Sequence, residues 1–146
     1  LTGRFVNKFN RANNTIEFVK YGKKDSLEYT ITYKYKNDFD KFDYYEAIKK
    51  NPKGDEILKV EKIINPDKLV TKKIITGADE AGTYSFEFKY NAKKDIQEII
   101  KKNNKGNIEW QEEYLYQQNG NLYEVLKKDA KGNIISDIKY TYEFYK

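Results

Sequence analysis

Residues Ile96–Asn121 are IQEIIKKNNKGNIEWQEEYLYQQNGN, and the 25 residues from Leu122 onward, LYEVLKKDAKGNIISDIKYTYEFYK, follow the same pattern with an offset of 26. Both copies carry a glutamate, a Lys-Lys pair, the tetrapeptide Lys-Gly-Asn-Ile and the pattern Tyr-x-Tyr at equivalent positions. Runs of alternating polarity on either side of a Gly-containing turn are typical of a β-hairpin. Each copy therefore predicts a strand, a tight turn, a second strand and another turn.

Turn signals of the same kind recur along the whole chain, about every 13 residues. A polar first residue and a glycine at the fourth position describe a type I turn in which the glycine forms a bulge, giving a three-residue loop. Five turns fit: Asn51-Pro52-Lys53-Gly54, Asp79-Glu80-Ala81-Gly82, Asn103-Asn104-Lys105-Gly106, Gln117-Gln118-Asn119-Gly120 and Asp129-Ala130-Lys131-Gly132. Asn65-Pro66-Asp67-Lys68 and Asn91-Ala92-Lys93-Lys94 fit less well because they lack the glycine. Ten turns in all predict eleven strands.

Loop length predicts which residues share a face of the sheet, since a slip of one residue turns a strand over. Three-residue loops are expected to pair residues of equal parity, so the even-numbered residues from Tyr44 onward should form one apolar face. A two-residue type I′ turn at Asn119-Gly120 is rejected because it would break this pattern. Before Tyr44 the pattern is inverted, and an even-numbered loop around Asp38–Lys41 is expected to restore it.

An aromatic face without a helix to cover it must curl, form two layers or pair with another chain. We therefore predict an all-β fold, an antiparallel up-and-down meander of about eleven strands. The sheet is expected to be single and strongly curled, half-barrel or barrel-like, with no substantial helix. Residues 1–146 are expected to form one domain.

The composition argues against several classes of function. The chain has no cysteine and no histidine, so it lacks thiol chemistry and the usual neutral-pH general base. Of its 28 basic residues only Arg4 and Arg11 are arginines, which disfavours nucleic acid as a partner because nucleic-acid readers prefer arginine. We predict no catalytic residue, no cofactor and no metal, and we attribute the net charge of +5 to solubility.

The termini and hydropathy favour an extracytoplasmic location. No apolar run approaches the roughly 20 residues of a membrane span, so no membrane insertion is expected. Methionine is absent and the chain begins at Leu1, as a processed protein would. The expected location is secreted or cell envelope, with a lipid anchor on a missing N-terminal segment as one form of attachment.

Charged residues on the predicted apolar face are the candidates for a ligand site. Lys62 is expected opposite Lys72 and Glu98 opposite Glu112, and opposed like charges are destabilising unless something relieves them. The favoured explanation is a hydrated groove or Lys–Glu pairs across the sheet; the alternatives are a polar-tipped ligand or acid–base glycoside chemistry. The candidate ligand-binding residues are Lys62, Lys72, Glu98, Trp110, Glu112, Tyr114 and Glu124.

The segment Asn37–Asp43 places three carboxylates in one loop, as calcium prefers. It lacks the glycine and closing glutamate of an EF-hand, and Lys41 intrudes. A solvated turn is the favoured interpretation.

The pattern Tyr-x-Tyr, polar turn, Gly-Asn-Ile/Leu and Lys/Glu-rich strand resembles the tyrosine and Gly-Asn β-hairpin repeats of bacterial cell-envelope lipoproteins. It is more distantly similar to the YD repeats of RHS-type proteins, although no Asp follows the tyrosines of the C-terminal copies. The resemblance covers Phe88–Tyr142 and implies a secreted or envelope-attached, non-catalytic β protein. Separately, Leu1-Thr2-Gly3-Arg4-Phe5 resembles the entry motif of lipocalin-like barrels.

These observations favour a binding module for another protein or a glycan, which meets its partner by its outer surface or by a sheet edge. The edges near Phe5–Phe9 and Ile134–Tyr145 are expected to accept a strand from a partner chain. The alternative is a lipocalin-like carrier that holds a small apolar ligand inside the curled sheet. An enzyme that uses Glu98 and Glu112 is a third class.

Overall fold

The computed structural model describes residues 3–36, 44–77 and 82–143, and these residues form eleven β-strands. Their only helical segment is one 3-10 turn, Lys23–Asp25. The strands are β1 Arg4–Phe9, β2 Thr15–Tyr21, β3 Leu27–Lys34, β4 Glu46–Lys50, β5 Glu56–Ile64, β6 Val70–Gly77, β7 Thr83–Tyr90, β8 Ile96–Lys102, β9 Ile108–Tyr116, β10 Leu122–Asp129 and β11 Ile134–Lys139.

The strands follow one another in sequence order across a single sheet, β1 at one end and β11 at the other. Every strand pair whose register is described is antiparallel. The predicted all-β antiparallel meander of eleven strands is confirmed. Short loops and alternating polarity are the physical reason, because each strand finds its partner in the next segment of chain.

Seven hairpins share one turn geometry. At Asn51, for example, the backbone N–H donates to the carbonyl of Asp55 (3.0 Å) and the side-chain Oδ1 accepts from the N–H groups of Lys53 and Asp55. The fourth residue of each turn has φ between 63° and 90°. The seven first residues are Asn10, Asn51, Asn65, Asn91, Asn103, Gln117 and Asp129.

Three outcomes follow for the predicted turns. The turn that begins at Gln117 has its three-residue loop, since Gly120 N–H donates to the Gln117 carbonyl (2.9 Å), so the rejected two-residue turn is indeed absent there. The two turns without glycine adopt the same geometry, with Lys68 at φ 65° and Lys94 at φ 70°. The predicted loop Asp38–Lys41 and most of the turn Asp79–Gly82 lie outside the described residues.

The parity rule is wrong beyond the first pair of residues after each three-residue loop whose strand register is described. Lys102 pairs with Ile108, as equal parity requires, but the next pair is Lys101 with Trp110. A bulge at this step brings one extra residue into β9, and a bulge of this kind turns the remaining side chains over. The same shift occurs beside the turns that begin at Asn10, Asn51, Asn91 and Asp129. The even-numbered residues therefore do not share one face.

The chain divides into two compact units, Leu1–Ile64 with Lys73–Thr83, and Asn65–Lys72 with Tyr84–Lys146. In the first unit Phe5, Phe18 and Tyr29 form a ladder of rings across β1, β2 and β3, with centroids 5.5 and 6.0 Å apart. In the second unit Phe86 of β7 meets Trp110 of β9, at 5.9 Å. That residues 1–146 form one domain remains a prediction.

Burial is shallow in both units. Among the described residues the buried hydrophobic side chains are Ala47, Ile75 and Ile100, and none of the large side chains is fully buried. Most aromatic residues of the sheet are half-exposed. The sheet faces are therefore stabilised by ring contacts and ion pairs between neighbouring strands more than by a dry core.

Candidate binding surface

The register of the second unit places three of the predicted site residues on one face. Trp110 pairs with Lys101, Glu112 with Ile99 and Tyr114 with Val125, and paired residues of neighbouring strands project from the same side of a sheet. We call this side face A. Its members are Phe86, Phe88, Ile99, Lys101, Trp110, Glu112, Tyr114, Val125 and Lys127.

A network of aromatic and charged groups, the Trp110 cluster, lies at the centre of face A. It comprises Phe86, Trp110, Glu112, Tyr114 and Lys127. The ammonium of Lys127 lies 4.0 Å from the centre of the Trp110 ring and 3.0 Å from Glu112 Oε1. The hydroxyl of Tyr114 donates to the other oxygen of Glu112 (3.0 Å). The rings of Phe86 and Trp110 are tilted by 58°. All five side chains are half-exposed.

The environment of Tyr114 fixes the proton on its hydroxyl. Burial raises the pKa of Tyr114 to about 12, and the hydrogen bond to the Glu112 carboxylate adds to the effect. Both factors disfavour a phenolate, because it would be poorly solvated and would face a like charge. Tyr114 is therefore a hydrogen-bond donor at every physiological pH, and Lys127 balances the charge of Glu112.

A second cation–aromatic contact extends the cluster along face A. The ammonium of Lys101 lies 4.9 Å from the centre of the Tyr84 ring and 2.7 Å from Glu109 Oε2. The rings of Tyr84 and Phe86 meet edge to face at 5.7 Å. Together with the Trp110 cluster this gives a strip of half-exposed rings in which Tyr84 and Trp110 each lie beside a lysine.

The remaining predicted site residues of this unit do not join the cluster. Glu98 pairs with Glu113 rather than with Glu112, so the predicted opposition of Glu98 and Glu112 is wrong. The bulge between Lys101 and Lys102 is the reason. Glu98 therefore lies on the opposite side of the sheet, face B, and Glu124 lies there too because it pairs with Leu115 across β9.

Lysines relieve the like charges of face B. Glu98 is ion-paired with Lys89, and Glu113 with Lys128 (2.6 Å). Glu124 forms an ion pair with Lys139 (3.3 Å). These are Lys–Glu pairs between neighbouring strands, in keeping with one of the two favoured explanations, a hydrated groove or Lys–Glu pairs across the sheet.

Lys72 and Lys62 have separate surroundings. Lys72 lies 3.6 Å from Glu87, which also binds Lys102 at 2.6 Å. The ammonium of Lys62 lies 3.6 Å from the centre of the Tyr44 ring in the first unit. Lys62 and Lys72 belong to different units, and their predicted opposition stays a prediction.

The separation of Glu98 and Glu112 bears on the acid–base chemistry that was considered for these two residues. Two carboxylates of an acid–base pair must reach the same bond, and these two project from opposite sides of the sheet. This register gives no support to the glycoside chemistry that was considered for the pair. The described residues contain no group of three or more acidic side chains that could hold a metal ion. The segment Asn37–Asp43, considered for calcium, lies outside them.

Two ion pairs of the second unit were not predicted from the sequence. Glu87 with Lys102, and Glu113 with Lys128, are equivalent contacts in successive copies of the repeat, at 2.6 Å each. Lys102 hydrogen bonding lowers the pKa of Glu87, and Lys72 contributes a smaller effect. The constant separation of 15 residues between glutamate and lysine is the signal that would have found them.

A shallow depression has most of its lining residues on face B. It has a volume of about 340 Å³ and is lined by Lys89, Gln97, Glu98, Glu113, Tyr114 and Leu115. It contains two of the predicted ligand-binding residues, Glu98 and Tyr114. Its volume is at the lower end of the range for small-molecule sites, roughly 300–1,000 Å³.

No protein-family model matches the sequence, and no curated protein matches it either. Among solved structures the chain is similar to a porin-like protein from Bacteroides uniformis, with 18% sequence identity and a TM-score of 0.50. The similarity covers 87% of this chain and 49% of that one, so the chain spans about half the length of the porin-like protein. At this identity the likeness shows the fold alone, an antiparallel meander.

A protein of unknown function from Bacteroides fragilis shares 12% identity over 94% of this chain and 93% of its own, with a TM-score of 0.27, too low to support an argument. Among the residues described here, none forms a helix with the length and hydrophobicity that crossing a bilayer requires.

Proposed function

We propose that the chain is a non-catalytic, secreted or envelope-associated β-repeat module that binds another protein or a glycan through the Trp110 cluster. The observation that carries the proposal is the cluster itself. It is a half-exposed tryptophan, an ammonium, a carboxylate and a tyrosine hydroxyl, each in contact with the next, held on adjacent strands.

The chemistry of the cluster suits a polar partner with an apolar side. Tryptophan and tyrosine contribute most of the binding energy at many interfaces, because they bury a large area at small cost in conformational entropy. A sugar ring offers C–H groups to an aromatic ring and hydroxyls to Glu112 and Lys127. The hydrogen bonds that hold Glu112 and Tyr114 in place reduce the ordering that binding requires.

Two further observations support a non-catalytic role and an envelope location. Glu98 and Glu112, the residues considered for acid–base catalysis, project from opposite faces, and each has a lysine partner. The similarity to a porin-like protein, together with the resemblance to envelope hairpin repeats, is in keeping with the envelope. The strong curl expected of the sheet is part of the proposal, supported by the bulges beside the turns, since bulges bend a strand and increase its twist.

The proposal is tested by binding measurements on the purified chain. An array of bacterial and host glycans identifies a saccharide ligand, and calorimetry with that ligand compares wild type with Trp110→Ala and with Tyr45→Ala, a control in the first unit. Surface proteins of the source cell, cross-linked to the chain and purified individually, are tested in the same way.

We expect Trp110→Ala to weaken binding at least about tenfold, as for a hot-spot residue, and Tyr45→Ala to leave it unchanged. Circular dichroism must show both variants folded. Equal affinity of wild type and Trp110→Ala, or no binding of either ligand class above background, would overturn the proposal.

The carrier remains the second candidate because of the depression beside Tyr114. A carrier would bind an apolar fluorescent dye saturably with one dye per chain, and Leu115→Lys, in the lining, would abolish that binding. Weak, non-saturating fluorescence that Leu115→Lys leaves unchanged would exclude it.

A further inference from the structure

The outer edge of β11 is the most apolar exposed surface of the second unit. β11 is the last strand in the sheet order. Ile134, Ile135 and Ile138 are 59%, 58% and 49% exposed, and Tyr140 and Tyr142 follow them with exposed rings. An exposed strand edge with large apolar side chains is a template for pairing with another strand, and most proteins block such an edge.

The hydrogen bonds to β10 determine which backbone groups of β11 face outward. The N–H of Tyr140 donates to the carbonyl of Tyr123 (2.9 Å), and Ile138 pairs with Val125 two residues earlier. Because hydrogen-bonding direction alternates along an antiparallel strand, Ile138 and Tyr140 bond inward to β10. The N–H and C=O groups of Asp137 and Lys139 therefore point to the open edge.

We propose that β11 pairs with β11 of a second copy of this chain, antiparallel, about a two-fold axis at Ile138. This inference goes beyond the function proposed for face A and uses a different surface. Each pairing of the two copies occurs twice by symmetry. Opposite residues are then Ile138 with itself, Asp137 with Lys139, Ser136 with Tyr140, and Ile134 with Tyr142.

Charge selects this register from the others that the backbone allows. Outward-facing residues must oppose outward-facing residues, so the axis must pass through a residue and not between two. An axis at Asp137 or at Lys139 would set two like charges against each other, which destabilises a strand pair. An axis at Ile138 is the arrangement that places Asp137 opposite Lys139, twice, and sets a small serine against a tyrosine.

The side chains that would form the ion pair are accessible. The side chain of Lys139 is 68% exposed and lies 3.3 Å from Glu124 and 3.4 Å from Asp137 of its own strand. The edge strand at the other end of the sheet is different, since β1 carries Arg4 and Lys8 and no acidic residue. Self-pairing through β1 could set no acidic residue against these cations, whereas β11 carries both charges of its own ion pair.

The size of the contact predicts a weak dimer. Nine residues a side, Ile134 to Tyr142, fall below the roughly 20–30 residues a side of a standard interface. We expect a dissociation constant in the micromolar range, on the order of 10–100 µM.

Charge reversal tests the register by analytical ultracentrifugation of the 146-residue chain across that range. Asp137→Lys alone and Lys139→Asp alone should each raise the dissociation constant about tenfold or more, because each opposes like charges twice. The double variant Asp137→Lys/Lys139→Asp should return it to within about threefold of wild type. Glu56→Lys in β5, which changes the net charge as Asp137→Lys does, is the matched control and should leave the dissociation constant unchanged.

Cysteine cross-linking tests the axis independently, since the chain has no cysteine of its own. Ile138→Cys should form an intermolecular disulfide on mild oxidation, because non-hydrogen-bonded partners in an antiparallel pair lie about 4.5 Å apart at Cα. Ser136→Cys, which faces Tyr140 in the proposed register, should not. A monomeric wild type at all concentrations, failure of the double variant to restore the dimer, or equal cross-linking of the two cysteine variants would overturn the proposal.

Discussion

At the scale of single residues, the first position of each hairpin turn sets the local fold. An Asn or Asp there closes the turn with its own side chain: Asn103 Oδ1 accepts from the N–H groups of Lys105 and Asn107, and Asp129 does the same two strands later. The described bonds of the turn at Gln117 differ, since Asn119 there accepts from Asn121 N–H. The longer side chain of Gln117 accounts for this difference.

The fourth turn position gives the first prediction. Lys68 takes φ 65°, a left-handed conformation that is costly for any residue with a Cβ atom. Lys68→Gly should therefore raise the free energy of unfolding by about 1 kcal/mol, measured by urea denaturation. Lys53→Gly is the matched control at the third position, where a glycine adds only unfolded-state entropy, and it should not stabilise. A Lys68→Gly variant less stable than wild type would contradict the interpretation.

The fourth turn position also shows which turns can be predicted from the local sequence. The glycines at 54, 106, 120 and 132 predicted their turns correctly. Lys68 and Lys94 weakened the corresponding predictions because a lysine does not signal a positive φ. The Asn at the first position holds the turn closed and outweighs the strain at the fourth, so the first position is the better guide in this chain.

At the scale of strands and hairpins, the repeat is visible as contacts that recur every 26 residues. The hydroxyls of Tyr90, Tyr116 and Tyr142 donate to the carbonyls of Val70, Ile96 and Leu122, at 2.8, 2.7 and 2.7 Å. Each bond joins a tyrosine at or just beyond the end of one strand to the start of the strand before it, 20 residues earlier. The structural repeat therefore includes Val70, one copy earlier than the sequence repeat at Ile96, and the bond from the Tyr35 hydroxyl to the Thr15 carbonyl (3.0 Å) has the same separation in the first unit.

Removal of one such bond gives the second prediction. Tyr116→Phe keeps the ring and deletes the hydroxyl, leaving the Ile96 carbonyl without this donor. We expect a loss of about 1 kcal/mol in the free energy of unfolding. Tyr123→Phe, at an exposed ring of β10, is the control and should change stability by less than half as much. Equal effects of the two substitutions would show that the recurrent bond contributes no more to the free energy of unfolding than an exposed hydroxyl does.

The ion pairs between strands give a prediction about pH. The pKa of Glu87 is below its ordinary value of 4.5 because Lys102 donates to it. A lowered carboxyl pKa stabilises the fold above the ordinary value, and this contribution disappears as pH falls through the lowered value. Glu87→Gln should thus be less stable than wild type at pH 7, and the difference should shrink below pH 4.5. Thermal unfolding of both proteins from pH 7 to 2.5 measures this difference in stability. A difference independent of pH would contradict a lowered pKa of Glu87 beside Lys102.

The faces of the strands were the part of the fold that the sequence could not supply. Alternation identifies residues that share a strand face, and Trp110, Glu112 and Tyr114 were grouped correctly for this reason. Between strands the grouping depends on every bulge. The bulge beside Lys102 moved Glu98 to the other face, and no residue type at that step announces it. Side-chain contacts such as that of Lys127 with Trp110 depend on the same register and could not be predicted from the sequence either.

At the scale of the whole molecule, each unit is stabilised mainly by contacts between neighbouring strands, because few of its described apolar side chains are buried. The described strand contacts join segments adjacent in sequence, and the buried apolar side chains Ala47, Ile75 and Ile100 lie on strands away from the two ends of the sheet order. Proteins of this kind lose structure progressively, because each element contacts only its neighbours.

Hydrogen exchange should show this progressive loss of structure as a difference in amide protection between strands. We expect amide protection to be lowest in β1 and β11 and to rise toward β4 in the first unit and β8 in the second. Mass spectrometry after exchange in native buffer measures it segment by segment. Uniform protection that disappears in one step for all strands would instead show a single cooperative domain of residues 1–146, as the sequence predicted.

The equivalence of successive copies also has a genetic consequence. If Ile96–Asn121 were excised, Leu122 would follow Asp95, and Lys128 would take the place of Lys102 beside Glu87. Each remaining hairpin would keep neighbours of the same kind. Unequal recombination between the two coding copies can therefore shorten or lengthen the protein by whole repeats while every junction stays compatible.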